Sequence, residues 1–572
     1  MKPSEPSLSS GSVVRWLTGD CGIALILALA IPAVLLGMRP PVTQGFDYQV
    51  IHQFYKFYLH ASIRAGEVPL WNPYVALGRP FLADPEAAVF YPPNWMFIVL
   101  PETSALFFFL AAHFFLAAFF FIKLARHWAV PHGMAIGLAF AYCLSGSFMG
   151  RLLIGQLGYF CGLAYWPLIF YLAERLRGKT SLREWIVLVL AASGSFLSGN
   201  PPVFWLTAVA LGFYTAGVHL GWPWRENARR GLWCLGVLAS AYAFALLLCA
   251  VQLLPTIDLM LQGNRTAPSV QFSASSQLDC RFLTTLFVSQ PFGWQVGNAW
   301  ESNLFIGMIC TVIGLLGLSQ WRDARVRGLC LMGVAGFVLA LGQGTPVFAV
   351  MFHLLPGMGS FRVAARYATF LPWAMLLAGL IACARGTFSR PRLLFIFCML
   401  LAGAGYVVWR NELYWGIGLI GAIFLAFSAL AVALIKPQTW ALSKAIASRV
   451  LLALLCADSL MAAARMHASY NHLLLGGCLE AQVADVMHQK NLYPSNGVPP
   501  RLFVPDSLIR ANSGMKYNFS NVTCFGALTS MRVWSYLYLG TGLPVEYLQV
   551  VYLSDDAYRA GPFPFRISVS SR

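Results

Sequence analysis

The chain has 572 residues, 58% of them hydrophobic and only 11% charged, with a mean hydropathy of +0.65. A soluble domain carries about 25% charged residues and has no interior large enough to hide this much apolar surface, so a soluble globular protein is excluded and lipid is the remaining solvent. The formal net charge of +17 falls in short basic clusters between apolar runs, which is a topology signal and not the footprint of a nucleic-acid partner.

A helix needs about 20 apolar residues to cross about 30 Å of hydrocarbon. Thirteen runs qualify, two of them short: 20–38, 104–124, 133–152, 157–174, 185–199, 203–220, 232–255, 304–321, 329–343, 368–385, 393–409, 416–436 and 450–466. The first is followed by Arg39-Pro40-Pro41 with no small-residue cleavage site, so it reads as an uncleaved helix. The fifth and sixth are split by Ser198-Gly199-Asn200-Pro201-Pro202, which predicts a broken hairpin. Irregular backbone at membrane depth requires cover by protein or water.

Every second connection is short and basic. These hold Lys2 and Arg15; Lys123 and Arg126; Arg175, Arg177, Lys179 and Arg183; Arg225, Arg229 and Arg230; Arg322, Arg325 and Arg327; Arg385, Arg390 and Arg392; and Lys436, Lys444 and Arg449. The alternation puts the N-terminus in the cytoplasm, and an odd helix count puts 467–572 outside. The opposite connections, 39–103, 256–303 and 344–367, are long, aromatic and rich in Pro and Gly, so the working face is expected on the external side. The tail 467–572 is less apolar, with β-prone stretches at 533–538 and 547–552, and predicts a small external α+β or β-rich domain after a transmembrane domain over 1–466. Most of the thirteen cysteines lie singly in apolar runs as small hydrophobes, without CxxC or Cys/His ligand spacing. Cys478 and Cys524, in the tail, would either form a disulfide in an oxidising space or remain free thiols.

The first external loop carries the densest chemistry. It reads Gly45-Phe46-Asp47-Tyr48-Gln49, then Pro69-Leu70-Trp71-Asn72-Pro73-Tyr74, then Gly78-Arg79-Pro80-Phe81-Leu82-Ala83-Asp84-Pro85-Glu86, then Phe90-Tyr91-Pro92-Pro93-Asn94-Trp95. Asp47, Asp84 and Glu86 gather near helix ends on one side. A carboxylate at the water–lipid boundary has its pKa raised by desolvation and suits general-base work. The plainer alternative is that Asp47 caps a short interfacial helix over 52–64 and that the aromatics form a membrane belt. Arg362 and Arg366 are spaced to share one face of a helix and suit phosphate; lipid headgroups or pairing with Glu301 are the competing uses. His113 and Asp458, inside apolar runs, are expected to hydrogen-bond between helices. His353 is a weaker candidate in the 344–367 loop.

The loop-one pattern PLWNPY…GRPFLADP…FYPPN resembles the first loop of the YfhO-type bacterial membrane proteins, of the GT-C class of lipid-dependent glycosyltransferases. Ser198-Gly199-Asn200-Pro201, Gln252-Leu253-Leu254-Pro255-Thr256, Glu301 with Phe305-Ile306-Gly307, and Phe361-Arg362-Val363-Ala364-Ala365-Arg366-Tyr367 resemble the same family in order. The resemblance implies a GT-C-like α-helical polytopic membrane fold in the bacterial inner membrane. It implies transfer, with inversion, of a sugar from a polyprenyl-phosphate donor to a cell-envelope glycopolymer, lipid or protein acceptor on the external face. By the same match Asp47 is the base, Asp84 and Glu86 position the acceptor or a divalent ion, and Arg362 and Arg366 meet the donor phosphate. Trp71, Tyr74, Phe90 and Tyr91 would offer stacking faces for sugar. No cofactor is required, and a divalent metal is an option. The chain departs from the family at Asn200, where His is expected. A transporter or flippase of lipid-linked envelope material would line a path with charges through the whole membrane, whereas these runs hold few central charges. A non-catalytic envelope assembly protein would act through 467–572.

Overall fold

The computed structural model describes residues 19–38, 45–75, 78–263, 269–287 and 299–385, with short pieces between 452 and 551. The principal helices are α1 (Asp20–Gly37), α2 (Gln53–Arg64), α3 (Glu102–His127), α4 (His132–Cys143), α5 (Gly146–Ile154), α6 (Leu157–Ala164), α7 (Trp166–Gly178) and α8 (Leu182–Leu197). They continue with α9 (Pro201–Val218), α10 (Trp224–Leu248), α11 (Ala250–Leu261), α12 (Met308–Leu318), α13 (Ala324–Ala340), α14 (Pro346–Leu354) and α15 (Phe370–Arg385). Among the described residues six stretches are long and apolar enough to span a bilayer: α1, α3, α4 with α5, α9, α10, and 364–385 ending in α15. The chain is therefore a multi-span membrane protein. Runs 393–409 and 416–436, most of 450–466, and Cys478 lie outside the described residues, as does the 533–538 stretch.

The interior is aromatic and close-packed. Trp166 and Trp373 are fully buried, and Trp373 meets Phe121, Tyr142 and Phe170 at ring-centroid distances of 4.9–5.8 Å. In lipid there is no hydrophobic drive between helices, so small residues that admit close approach carry the packing. At Gly317 an added Cβ would lie 2.0 Å from the Ala378 carbonyl oxygen, so α12 and α15 meet backbone to backbone. Exposed apolar residues such as Leu232, Phe244, Leu247 and Leu254 lie on α10 and α11, where lipid is the natural solvent.

The two ends of the bundle differ. At one end the basic connections meet: Lys123 and His132 pair with Asp20, and Arg385 pairs with Asp323. Buried Glu174 there accepts from Trp128, Tyr214, Arg177 and Arg325, tying α3, α7, α9 and α13 together. At the other end lies loop one. It holds a π-helical turn, Tyr48–His52, leading into α2, a two-residue antiparallel ladder pairing Trp71–Asn72 with Arg79–Pro80, and two 3₁₀ turns. The predicted hairpin break appears between α8 and α9, and its Gly199 lies against Pro85 and Ala88 of loop one. From α11, Gln252 and Thr256 donate to the Leu82 and Ala83 carbonyls at 2.8 Å. From the tail, Asn512 donates to the Val50 carbonyl at 2.9 Å, and Val550–Val551, inside the predicted 547–552 strand, pairs with Cys524–Phe525.

Run 304–321 is helical only over Met308–Leu318. The preceding 303–307 is an extended strap buried inside the bundle, and several of its polar backbone groups are met by neighbouring elements. Leu304 N donates to Thr285 Oγ1 at 2.9 Å, Gly146 N donates to the Phe305 carbonyl at 2.6 Å, and Ser147 donates to the Asn303 carbonyl at 3.1 Å. Asp458 accepts from Ile309 N at 3.1 Å and so caps α12. His113 bonds within α3 to the Phe109 carbonyl and between elements to the Tyr91 hydroxyl of loop one. An apolar run thus need not be a helix where protein supplies every backbone partner.

Candidate functional site

The site forms where the start of loop one meets the α5–α6 junction. α5 ends at Gly155, whose φ of +92° is the left-handed conformation that closes a helix. Gln156 follows with φ −74° and ψ 68°, and Leu157 N donates to the Gly155 carbonyl at 2.8 Å, an inverse γ-turn that swings the Gln156 side chain out of the helix path. A Cβ on Gly155 would sit 2.2 Å from Tyr48 N, and one on Gly45 would sit 2.6 Å from the Leu153 carbonyl oxygen. The paired glycines let residues 45–48 lie flush on 153–155, which brings Asp47 to Gln156.

Asp47 does not cap the helix that follows it; its own backbone is helical and its side chain makes no capping bond. Its carboxylate lies within electrostatic reach of Gln156, Arg151, Arg366 and Glu301. It keeps partial solvent access but lies deep among protein atoms. Burial pushes its carboxyl up to about 6; the Gln156 side chain opposes this, Glu301 adds to it, and Arg366 and Arg151 oppose it. Gln156 Oε1 in turn accepts from Arg151 at 2.9 Å.

Arg151 projects from α5 and is 1% exposed. It pairs with Glu301, which sits 4% exposed in the helical turn Ala299–Ser302 just before the strap. Arg366 reaches the same carboxylate through Nε at 3.1 Å and Nη2 at 3.0 Å. Both guanidiniums lie over the Tyr159 ring, at 4.0 and 5.3 Å from its centroid. Burial alone would raise the Glu301 carboxyl, but Arg151 and Arg366 overcome it and hold the group down at about 2. The arrangement is two fixed cations on one permanent anion, beside a second carboxylate poised near neutrality. Among the described residues no acceptor meets the buried Arg151 Nε.

Several expected residues fall elsewhere. Arg362 and Arg366 do not share a helical face: Phe361 is extended, Val363 is left-handed at φ 73°, and the 3₁₀ helix starts only at Ala364. Asp84 is a clamp within loop one. Its carboxylate takes Arg79 at 2.5 Å, the Tyr55 hydroxyl at 2.9 Å and the Glu86 N–H at 3.0 Å, so it does not fit as a ligand for a divalent ion. Among the described residues no three of His, Cys, Asp and Glu converge as a metal site. Glu86 lies within electrostatic reach of Arg366 and Tyr55. Tyr91 offers no face to a sugar, because its ring is 1% exposed and its hydroxyl lies 2.5 Å from His113 Nε2. Trp71 is 54% exposed and Tyr74 half-buried, edge to face with Tyr58. Asn200, at the α8–α9 break, keeps Oδ1 buried, with no hydrogen-bond partner among the described residues. His353 is exposed in the last turn of α14, on a helix where a loop was expected.

Sequence reasoning missed Arg151 and Gln156. Arg151 is a charge inside an apolar run, which by itself marks a functional residue in a membrane chain. Gln156 gave no signal, since its role depends on the turn that carries it.

No family model matches the chain, and no curated protein matches it. Among solved structures it is similar to the arabinofuranosyltransferase AftD from Mycobacteria, determined by single-particle cryo-EM, with a TM-score of 0.48 and 14% sequence identity. The match covers 93% of this chain and 34% of that one, so this chain spans about a third of that enzyme's length.

Proposed function

We propose that the chain is a GT-C-type membrane glycosyltransferase of the bacterial inner membrane, with a cytoplasmic N-terminus and loop one on the external side. It would transfer a sugar from a polyprenyl-phosphate donor to a hydroxyl of an envelope acceptor. The observation that carries this reading is the placement of Asp47 beside the Arg151–Glu301–Arg366 cluster at the loop-one end of the bundle. Asp47 takes the acceptor proton as the acceptor oxygen bonds to the anomeric carbon. The bond from that carbon to the phosphate oxygen breaks, and its electron pair leaves with the lipid phosphate. Arg366 and Arg151 face the charge that grows there, and guanidinium suits phosphate through its planar fork. Arg362 stands four residues away on the extended lead-in and serves the same phosphate or the lipid headgroups around it. Trp71 and Tyr74 offer ring faces at the loop surface for sugar.

The test is transfer by the purified full chain in nanodiscs, given a panel of synthetic farnesyl-phosphoryl sugars and short envelope-glycan acceptors, with products read by mass spectrometry. Asp47→Asn keeps the shape and one acceptor oxygen but takes no proton, so transfer should fall by about 10²–10⁴-fold with folding intact. Full transfer by Asp47→Asn would remove Asp47 as the base. The same envelope lipids and polymers, compared by mass spectrometry in cells with and without the protein, identify the sugar and acceptor.

A further inference from the structure

The ring that meets both arginines comes from a residue outside every expected motif. Tyr159, in the first turn of α6, is fully buried, and the Arg151 and Arg366 guanidinium carbons lie 4.0 and 5.3 Å from its ring centroid. We propose that Tyr159 is a positioning residue whose ring holds both guanidiniums in place to receive the lipid phosphate, an inference that rests on the glycosyl-transfer reading above.

Arg151 and Arg366 carry two positive charges and share one carboxylate, Glu301, so they repel one another across it. A second carboxylate bonded between them would offset that repulsion but cancel the surplus positive charge, which is what a phosphate needs. An aromatic face attracts cations through its quadrupole and adds no full charge. The ring therefore steadies the pair and leaves the surplus cation uncancelled. The hydroxyl takes no part, since among the described residues no hydrogen-bond partner meets it. Holding the arginines falls to the ring alone.

The backbone fixes that ring on both sides. A Cβ on Gly158 would lie 3.0 Å from the Ser198 carbonyl oxygen, and Ser198 Oγ donates to the Gly158 carbonyl at 3.1 Å, which seats α6 on the α8–α9 break. Phe160 packs on Phe148 and Phe114 at centroid distances of 4.6 and 5.3 Å. Held between these contacts, the Tyr159 ring cannot follow the arginines, and they must settle on it. Arg151 comes from the last turn of α5 and Arg366 from the 3₁₀ turn before α15, so one ring sets the place of two cations from elements far apart in sequence.

The test varies the charge of the ring and not its shape. Phenylalanine and its mono-, tri- and pentafluoro derivatives are placed at position 159 of the full chain in nanodiscs by nonsense suppression. Two quantities are read: affinity for farnesyl phosphate, which stands for the departing lipid phosphate, and melting temperature. Ring fluorination withdraws negative charge from the face while size and burial barely change. Tyr159→Phe should bind as the wild type does. Affinity should then fall stepwise along the series, by about 5- to 30-fold at its end, and the melting temperature should fall with it. Affinity that stays flat along the series overturns the proposal; if melting still falls, the ring serves folding alone. If the pentafluoro form does not fold, the mono- and trifluoro steps carry the same slope. Failure of the glycosyl-transfer reading looks different: the wild type would bind farnesyl phosphate no better than farnesol, and the proposal would fall with it.

Discussion

Replacing Glu301 by Gln keeps the shape of the side chain and removes the anion between two buried guanidiniums. Arg151 and Arg366 are held over one tyrosine ring, and among the described residues no other carboxylate is bonded to both. Two routes give the size of the effect. Breaking a buried ion pair from one side costs about 3–5 kcal/mol, because the partner charge stays buried. The displacement of the Glu301 carboxyl from its ordinary 4.5 to about 2 corresponds to about 3 kcal/mol, at about 1.4 kcal/mol per unit. Because the folded value is depressed, this stability is fully present above pH 4.5 and is lost as pH falls toward 2. Thermal unfolding of the purified chain, followed by tryptophan fluorescence at pH 7 and again at pH 4, should show Glu301→Gln destabilised at pH 7 and the gap to wild type narrowing in acid. A variant that melts with wild type at pH 7 would refute the reasoning, since the triad would then hold nothing together.

Further outcomes follow from the same geometry. Transfer should rise with pH through about 6 as Asp47 ionises, and a pH-independent rate from 5 to 7 would show that this group is not the base. Arg366→Ala and Arg151→Ala should each weaken donor use by about 10- to 150-fold, with Lys only a partial replacement; normal donor kinetics in both folded variants would leave them structural. Lys56 is buried, donates to Asn94 at 2.6 Å and is brought down by burial to about 7, so folding stability should rise with pH between 7 and 10.5, and Lys56→Met should abolish that rise in a melting series. Reporter fusions after Arg183, Arg230 and Lys444 should read cytoplasmic, and those after Trp294 and Asn521 external; an external signal at Arg230 would break the proposed orientation.

Much of the framework was legible in the sequence because a bilayer imposes it. The apolar runs of α1, α3, α8 and α9 and the Ser198–Asn200 break could be read directly, since hydrocarbon thickness dictates length and Pro and Gly mark interruptions. The 303–307 strap could not, because its apolar residues answer to a protein interior and its backbone partners come from Thr285 and Gly146. Loop one announced its carboxylates but not their division of labour. Asp84 was expected to position the acceptor or a divalent ion, and nothing in the sequence shows that Arg79 and Tyr55 occupy its oxygens. The i, i+4 spacing of Arg362 and Arg366 misled for a similar reason, because a left-handed Val363 ends any helix between them.

What assigns roles in this site is the separation of two carboxylates that face the same cations. Glu301 sits between Arg151 and Arg366 and stays ionised across any working pH, so it neither takes nor gives a proton. Asp47 stands beside this cluster, where burial outweighs the arginines and its carboxyl titrates near 6. Environments that push paired acidic groups apart are how one site holds a permanent charge and a proton acceptor together. The permanent charge is suited to fixing two arginines in place. The titrating one is suited to meeting a hydroxyl. Exchanging the two tasks would need Glu301 to lose both guanidiniums and Asp47 to gain them, and the turns Ala299–Ser302 and Tyr48–His52 hold each carboxylate where it is.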